Sequence, residues 1–156
     1  MRQLAFALCL LVPLAACGQQ PQSQSPQAQI EVKDAWARDT AGTKATAAVY
    51  MTITAQAGDR LVGASTPIAG RTDLMTMHSD GGAMEMKYLE EIAIPADKPV
   101  SLDPSGLHVW LADLDEPLKA GQTFPMVLEF EKAGKHQVVV SIIEPAATPP
   151  MSGIPM

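Results

Sequence analysis

The residues best suited to chemistry lie between positions 74 and 110. Leu74-Met75-Thr76-Met77-His78 leads into Ser79-Asp80-Gly81-Gly82, and Met84-Glu85-Met86 follows; Gly106-Leu107-His108-Val109-Trp110 comes later. Four of the chain's nine methionines thus fall within residues 75–86. Thioether sulfur is a soft ligand that suits Cu(I) and has little attraction for Zn(II), Mg(II) or Ca(II). A neutral imidazole adds a borderline nitrogen ligand. Metal binding is the chemistry these types point to, with Met75, Met77, His78, Met84, Met86 and His108 as candidate ligands. Trp110, on the same strand face as His108, is a candidate metal cover or a core filler. The methionines have a competing use as gap-fillers in an apolar core. Catalysis is poorly served: Ser79, His78 and Asp80 are neighbours, and neighbours at a strand end point apart and form no proton relay. No nucleophile elbow or phosphate loop is present, and the chain reads as a binding protein, not an enzyme.

The elements that must position these residues are short strands. Candidate strands are 30–37, 46–54, 60–66, 72–78, 83–94, 99–102, 107–114, 124–131 and 136–143. Phe124, Met126, Leu128 and Phe130 fall on one face, with Glu129 and Glu131 on the other, and Val138, Val140 and Ile142 alternate likewise. Period-2 patterning between turn signals predicts a single-domain, all-β, antiparallel sandwich or barrel. Ser79-Asp80-Gly81-Gly82 is a hairpin turn signal, and Ala133-Gly134-Lys135 is another. On strands, Met75 and Met77 share a face, as do Met84 and Met86, and a tight hairpin sets the two pairs side by side. Trp36 is expected in the core. His136, just after a turn, is expected to be exposed.

The chain's ends carry a different message. Residues 1–16 read as an export signal: Arg2, then an apolar run too short to span a bilayer, ending in Leu14-Ala15-Ala16-Cys17. That tetrad resembles the lipobox of bacterial lipoprotein signals, which implies lipidation of Cys17. Gly18 next to it points, by analogy, to the outer membrane. Residues 17–29 then form the lipidated Cys and a Gln/Pro/Ser-rich tether, reaching roughly 20 Å as a random coil. Residues 30–144 form the domain, and the Pro-rich tail 145–156, with Met151 and Met156, is expected to be disordered. Loss of the signal removes Cys9, so the mature domain has no thiol for a disulfide, a nucleophile or a blue-copper site. Net charge is −6, which argues against a nucleic-acid partner. No apolar run after residue 16 is long enough to be a transmembrane helix.

Spacing adds a family resemblance. Ten residues separate Met75 from Met86, twenty-one separate Met86 from His108, and one separates His108 from Trp110. This resembles the site pattern of the PCuAC family of periplasmic copper chaperones, where His or Met, Met, His and Met stand at these intervals. Asp34-Ala35-Trp36-Ala37-Arg38, Gly82-Ala83-Met84-Glu85-Met86, Ile94-Pro95-Ala96 and Pro117-Leu118-Lys119-Ala120-Gly121 resemble the family as well, over about residues 30–143. The resemblance implies a cupredoxin-like β-sandwich binding Cu(I) through Met75, Met86 and His108. It also implies delivery of copper to a recipient copper protein or assembly factor of cytochrome c oxidase, on the periplasmic side of the envelope. Trp110 departs from the pattern, since an indole cannot replace a thioether. The fourth position is open among the Trp110 ring face, Met77, His78, Met84 and the tail residues Met151 and Met156. A copper-tolerance carrier and a metal-free envelope adaptor with a degenerate site are the alternative functions. Protons compete with copper for imidazole, so affinity is expected to fall in acid.

Overall fold

The computed structural model describes residues 29–150, apart from 41, 43 and 44. The export signal, Cys17, the tether to residue 28, Met151 and Met156 lie outside the described residues. Ten strands follow one another: β1 (Ile30–Arg38), β2 (Thr46–Ala55), β3 (Asp59–Ser65), β4 (Ala69–Asp80), β5 (Ala83–Leu89), β6 (Ile92–Ile94), β7 (Val100–Leu102), β8 (Leu107–Leu114), β9 (Thr123–Phe130) and β10 (Gly134–Ile143). Among the described residues there is no helix. The hydrogen-bonded path runs β5-β4-β8-β2-β1-β10-β9-β3-β6, with β7 on β2. All named strand pairs are antiparallel except β1 with β10. The sheet folds on itself as a sandwich, in agreement with the all-β, cupredoxin-like expectation.

Alternation builds the core. On β2, Ala47, Val49, Met51, Ile53 and Ala55 are all buried while the residues between them are only partly covered. Phe124, Met126, Leu128 and Phe130 line β9 and face them within one apolar cluster that also takes in Leu61, Ile94, Val109, Leu111 and Val140. Met51 and Met126 are therefore the gap-filling methionines, and each fully buried thioether side chain contributes about 1.5–3 kcal/mol by leaving water.

Two expectations require correction, on segment 83–94 and on His136, and one, on Trp36, holds with a twist. The segment 83–94 is two strands, because β5 pairs with β4 and β6 pairs with β3 at the other end of the path, so the chain must break at Glu90-Glu91. Trp36 is buried, as expected, but on the sheet face opposite the main apolar cluster. Val32 pairs with the core residue Ile53, and strict alternation would keep Trp36 on that side. A bulge centred on Asp34, whose φ is 51°, inserts one residue and turns Trp36 to the opposite face, paired with Tyr50. His136 is half-buried, edge-on to Phe130 with ring centroids 6.5 Å apart.

One buried carboxylate pins the β9–β10 turn to β3. Asp59 is 4% exposed and accepts backbone N–H bonds from Arg60 at 2.7 Å, Lys132 at 3.0 Å and Ala133 at 2.9 Å. Burial pushes its pKa up, but the three amides together outweigh that effect and hold the carboxyl below the usual range. Beside it, the Arg60 guanidinium donates to both oxygens of Glu131, at 2.8 and 2.6 Å.

Candidate metal centre

The site is built by register on three adjacent strands. The β4–β5 hairpin closes on a two-residue turn, Gly81-Gly82, with Asp80 paired to Ala83. Both glycines have positive φ, 62° and 95°, the backbone that such tight hairpins require. From that turn the pairing runs Ser79 with Met84, Met77 with Met86, and Met75 with Tyr88. On the other side of β4, Met75 pairs with His108 and Asp73 with Trp110 on β8. Directly opposed residues of an antiparallel pair share a face. Met75, Met77, Met84, Met86, His108 and Trp110 therefore stand on one side of the sheet. Met75 and His108 are directly opposite each other, and Met86 is the diagonal neighbour of Met75, with Cα atoms about 7–8 Å apart in such an arrangement.

His78 is not brought to this face. It pairs with Glu85 on the opposite side of the hairpin and is exposed, because successive strand residues alternate. Ser79 and His78 likewise face opposite ways.

Burial grades along the face. Met75 and His108 are each 3% exposed, although neither belongs to the core cluster. Met77 is half-buried. Met86 is 47% exposed and Met84 59%. The inner end is thus sealed and the hairpin end is open.

The imidazole is oriented from behind. His108 Nδ1 lies 3.1 Å from the Gly106 carbonyl oxygen. A carbonyl only accepts, so this contact places the proton on Nδ1 and leaves the Nε2 lone pair free. The same carbonyl accepts the Met77 N–H at 3.0 Å, which ties the β8 approach to β4. Aromatic rings flank the imidazole: Tyr50 at 6.2 Å and Trp110 edge-on at 6.3 Å, 68°. Trp36 follows Tyr50 at 4.5 Å, and the Arg38 guanidinium lies 5.2 Å over Trp36 and donates to the Pro145 carbonyl. The early tail thus crosses the Trp36 end of this face. Burial raises the Tyr50 pKa, with Arg38 opposing and Asp103 adding to the rise, so the phenol stays neutral. Asp73, opposite Trp110, adds a carboxylate to this face; its buried Oδ2 is 3.0 Å from Arg71 Nε, too poorly aligned for a hydrogen bond. Among the described residues, no three His, Cys, Asp or Glu side chains gather as a metal site. The donors collected here are thioethers and one imidazole, a set suited to a soft monovalent ion.

Sequence reasoning missed the aromatic flank from Tyr50 and the Gly106 carbonyl. Tyr50 carries no spacing signal, while Gly106 directly precedes the motif but its carbonyl role depends on the turn after β7.

Residues 30–142 match the family described as "Putative lipoprotein LpqE-like". The chain belongs to the LpqE-like family. A curated relative, "Putative lipoprotein Lxx21020" of Leifsonia xyli subsp. xyli, is 32% identical over 133 residues, covering 84% of this LpqE-like chain and 78% of the relative. Among solved structures, the solution structure of CuI-DR1885 from Deinococcus radiodurans is 30% identical, with a TM-score of 0.58, over 83% of this chain and 87% of that one. The copper-bound PCuAC domain from PmoF2 has a TM-score of 0.62 at 24% identity, over 74% and 93% of the two chains, and supports the fold. The resemblance of this LpqE-like sequence to PCuAC domains is thereby borne out.

Proposed function

We propose that the protein is a Cu(I) carrier of the bacterial envelope, with copper as its cargo, held by Met75 Sδ, Met86 Sδ and His108 Nε2. The observation that carries this reading is the register: two thioethers and one oriented imidazole, remote in the chain, fall on one face of β5-β4-β8. The 30% identical relative, whose solution structure is of its CuI form, supports the choice of ion and oxidation state. Neutral soft donors favour Cu(I) over Cu(II). Thioethers form no disulfides, so such a site keeps working in an oxidising compartment. A small number of neutral donors near an open rim also permits release by stepwise ligand exchange.

Trp110 stands beside the site as a cover. Its ring is steeply tilted to the imidazole with centroids 6.3 Å apart, and the indole offers no σ-donor in place of the family's second Met. In our reading the signal at residues 1–16 exports the chain, lipidated Cys17 anchors it and residues 18–29 tether the domain. The anchored domain then delivers copper on the periplasmic face, at the outer membrane, to a recipient copper protein in the assembly of cytochrome c oxidase. The role is binding and transfer, not catalysis.

Trp110 also favours a second reading, a metal-free adaptor whose site has lost one ligand. Anaerobic titration with Cu(I) separates the two. The carrier takes up one equivalent of copper per chain and loses it when Met86 and His108 are replaced together; the adaptor takes up none.

A further inference from the structure

The three proposed ligands use only two of the four methionines on this face. Met77 and Met84 remain, and their placement is ordered. Met84 stands beside the hairpin turn at 59% exposure, Met86 one step in at 47%, Met77 directly opposite Met86 and half-buried, and Met75 with His108 at 3%. Copper bound at the inner end has two of its ligands sealed from solvent, so an incoming donor reaches it from the Met86 side. That side leads along β5 to Met84. Among the described residues β5 ends the hydrogen-bonded path and pairs only with β4, which leaves this approach open. Neither Met77 nor Met84 belongs to the core cluster.

We propose that Met84 and Met77, with Met86, form a thioether relay through which copper is loaded and unloaded at the tip of the β4–β5 hairpin, Met84 making the first contact. The relay rests on the carrier reading above. In each step one Cu(I)–S bond forms as the bond to the outgoing donor breaks. Copper stays monovalent, thioether sulfur carries no proton, and no electron moves. The donor or acceptor at the far end is a soft neutral ligand set on a partner or a small Cu(I) chelator. A relay that stabilises only the intermediate lowers the barrier in both directions by the same amount. It therefore changes rates and leaves the equilibrium affinity alone.

The test is stopped-flow transfer of Cu(I) from the loaded protein to excess bicinchoninate under anaerobic conditions, beside an equilibrium competition titration. Leu replaces Met with similar volume and no sulfur, so Met84→Leu and Met77→Leu keep the packing; apo melting curves check this. The relay predicts that Met84→Leu slows transfer by about tenfold, equivalent to ~1.4 kcal/mol of barrier. Affinity should change less than about twofold, well under that energy. Met77→Leu should act in the same direction, and the double variant should be slower still. Unchanged transfer rates in variants of a protein that binds one Cu(I) overturn the relay and leave the carrier reading intact. Weaker affinity with faster release makes Met84 an equilibrium ligand and also overturns it. A wild-type protein that binds no Cu(I) overturns both.

Discussion

Replacing Met86 by Ala separates ligation from packing, because Met86 is 47% exposed on a strand that is exposed along almost its whole length. Truncating a half-exposed thioether removes about 1 kcal/mol of burial or less. For a domain of this size that lowers the apo melting temperature by about 4 °C at most. Loss of a first-sphere ligand is a larger effect on copper. Even outer-shell partners of metal ligands cost roughly 10–100-fold in affinity when removed, so at least tenfold, or ~1.4 kcal/mol, is expected for Met86. At saturating copper that loss appears in full as reduced ligand-induced stabilisation. The copper-induced rise in melting temperature should therefore shrink by about 6 °C or more relative to wild type. The assay is anaerobic thermal unfolding with and without Cu(I), comparing the rise within each protein. Met75→Ala is the contrast: at 3% exposure it should lose about 2–5 kcal/mol without any metal. If apo Met86→Ala loses stability on that larger scale, or its copper-induced rise matches wild type, Met86 is a packing residue and the ligand set is wrong.

Other outcomes follow from the same geometry. Asp59→Ala strands three backbone N–H groups and should cost about 3 kcal/mol at pH 7 in denaturant unfolding. Because the folded-state pKa of Asp59 is lowered, its contribution is fully present above the ordinary carboxylate range near pH 4 and is lost as pH falls below it. The wild-type advantage over Asp59→Ala should accordingly narrow as pH falls below about 4. Gly82→Ala forces a side chain onto φ 95° in otherwise open space and should cost about 1–2 kcal/mol in the same assay. Trp110→Met supplies a third thioether, and a fourth ligand, opposite Asp73 and should tighten Cu(I) binding by about tenfold in competition titrations.

Most of the fold was legible because its strands alternate. Phe124 to Phe130 announced β9 and its buried face, and the resemblance carried by Met75, Met86 and His108 implied that their three strands lie side by side. The chain break at Glu90-Glu91 was hidden, since a strand that changes partners keeps the same local pattern on both sides. The burial of Trp36 was legible, but its face was hidden for a related reason. One aspartate at positive φ shifts the face of every residue after it, and Asp34 carries no mark that distinguishes it from a regular strand residue. His78 matched the metal-ligand types, but a parity count from the Gly81-Gly82 turn places it on the far face from Met77. The sealing of Met75 and His108, against the exposure of Met84 and Met86, depends on which strands flank β4 and on how the layers close, and no local spacing encodes that.

X-ray absorption at the copper edge of the Cu(I)-loaded protein tests the central claim most directly. The account predicts a Cu(I) edge with two sulfur scatterers and one imidazole nitrogen, the nitrogen vanishing in His108→Ala and one sulfur in Met86→Ala. A first shell made only of nitrogen and oxygen, or a spectrum that neither substitution alters, would contradict it.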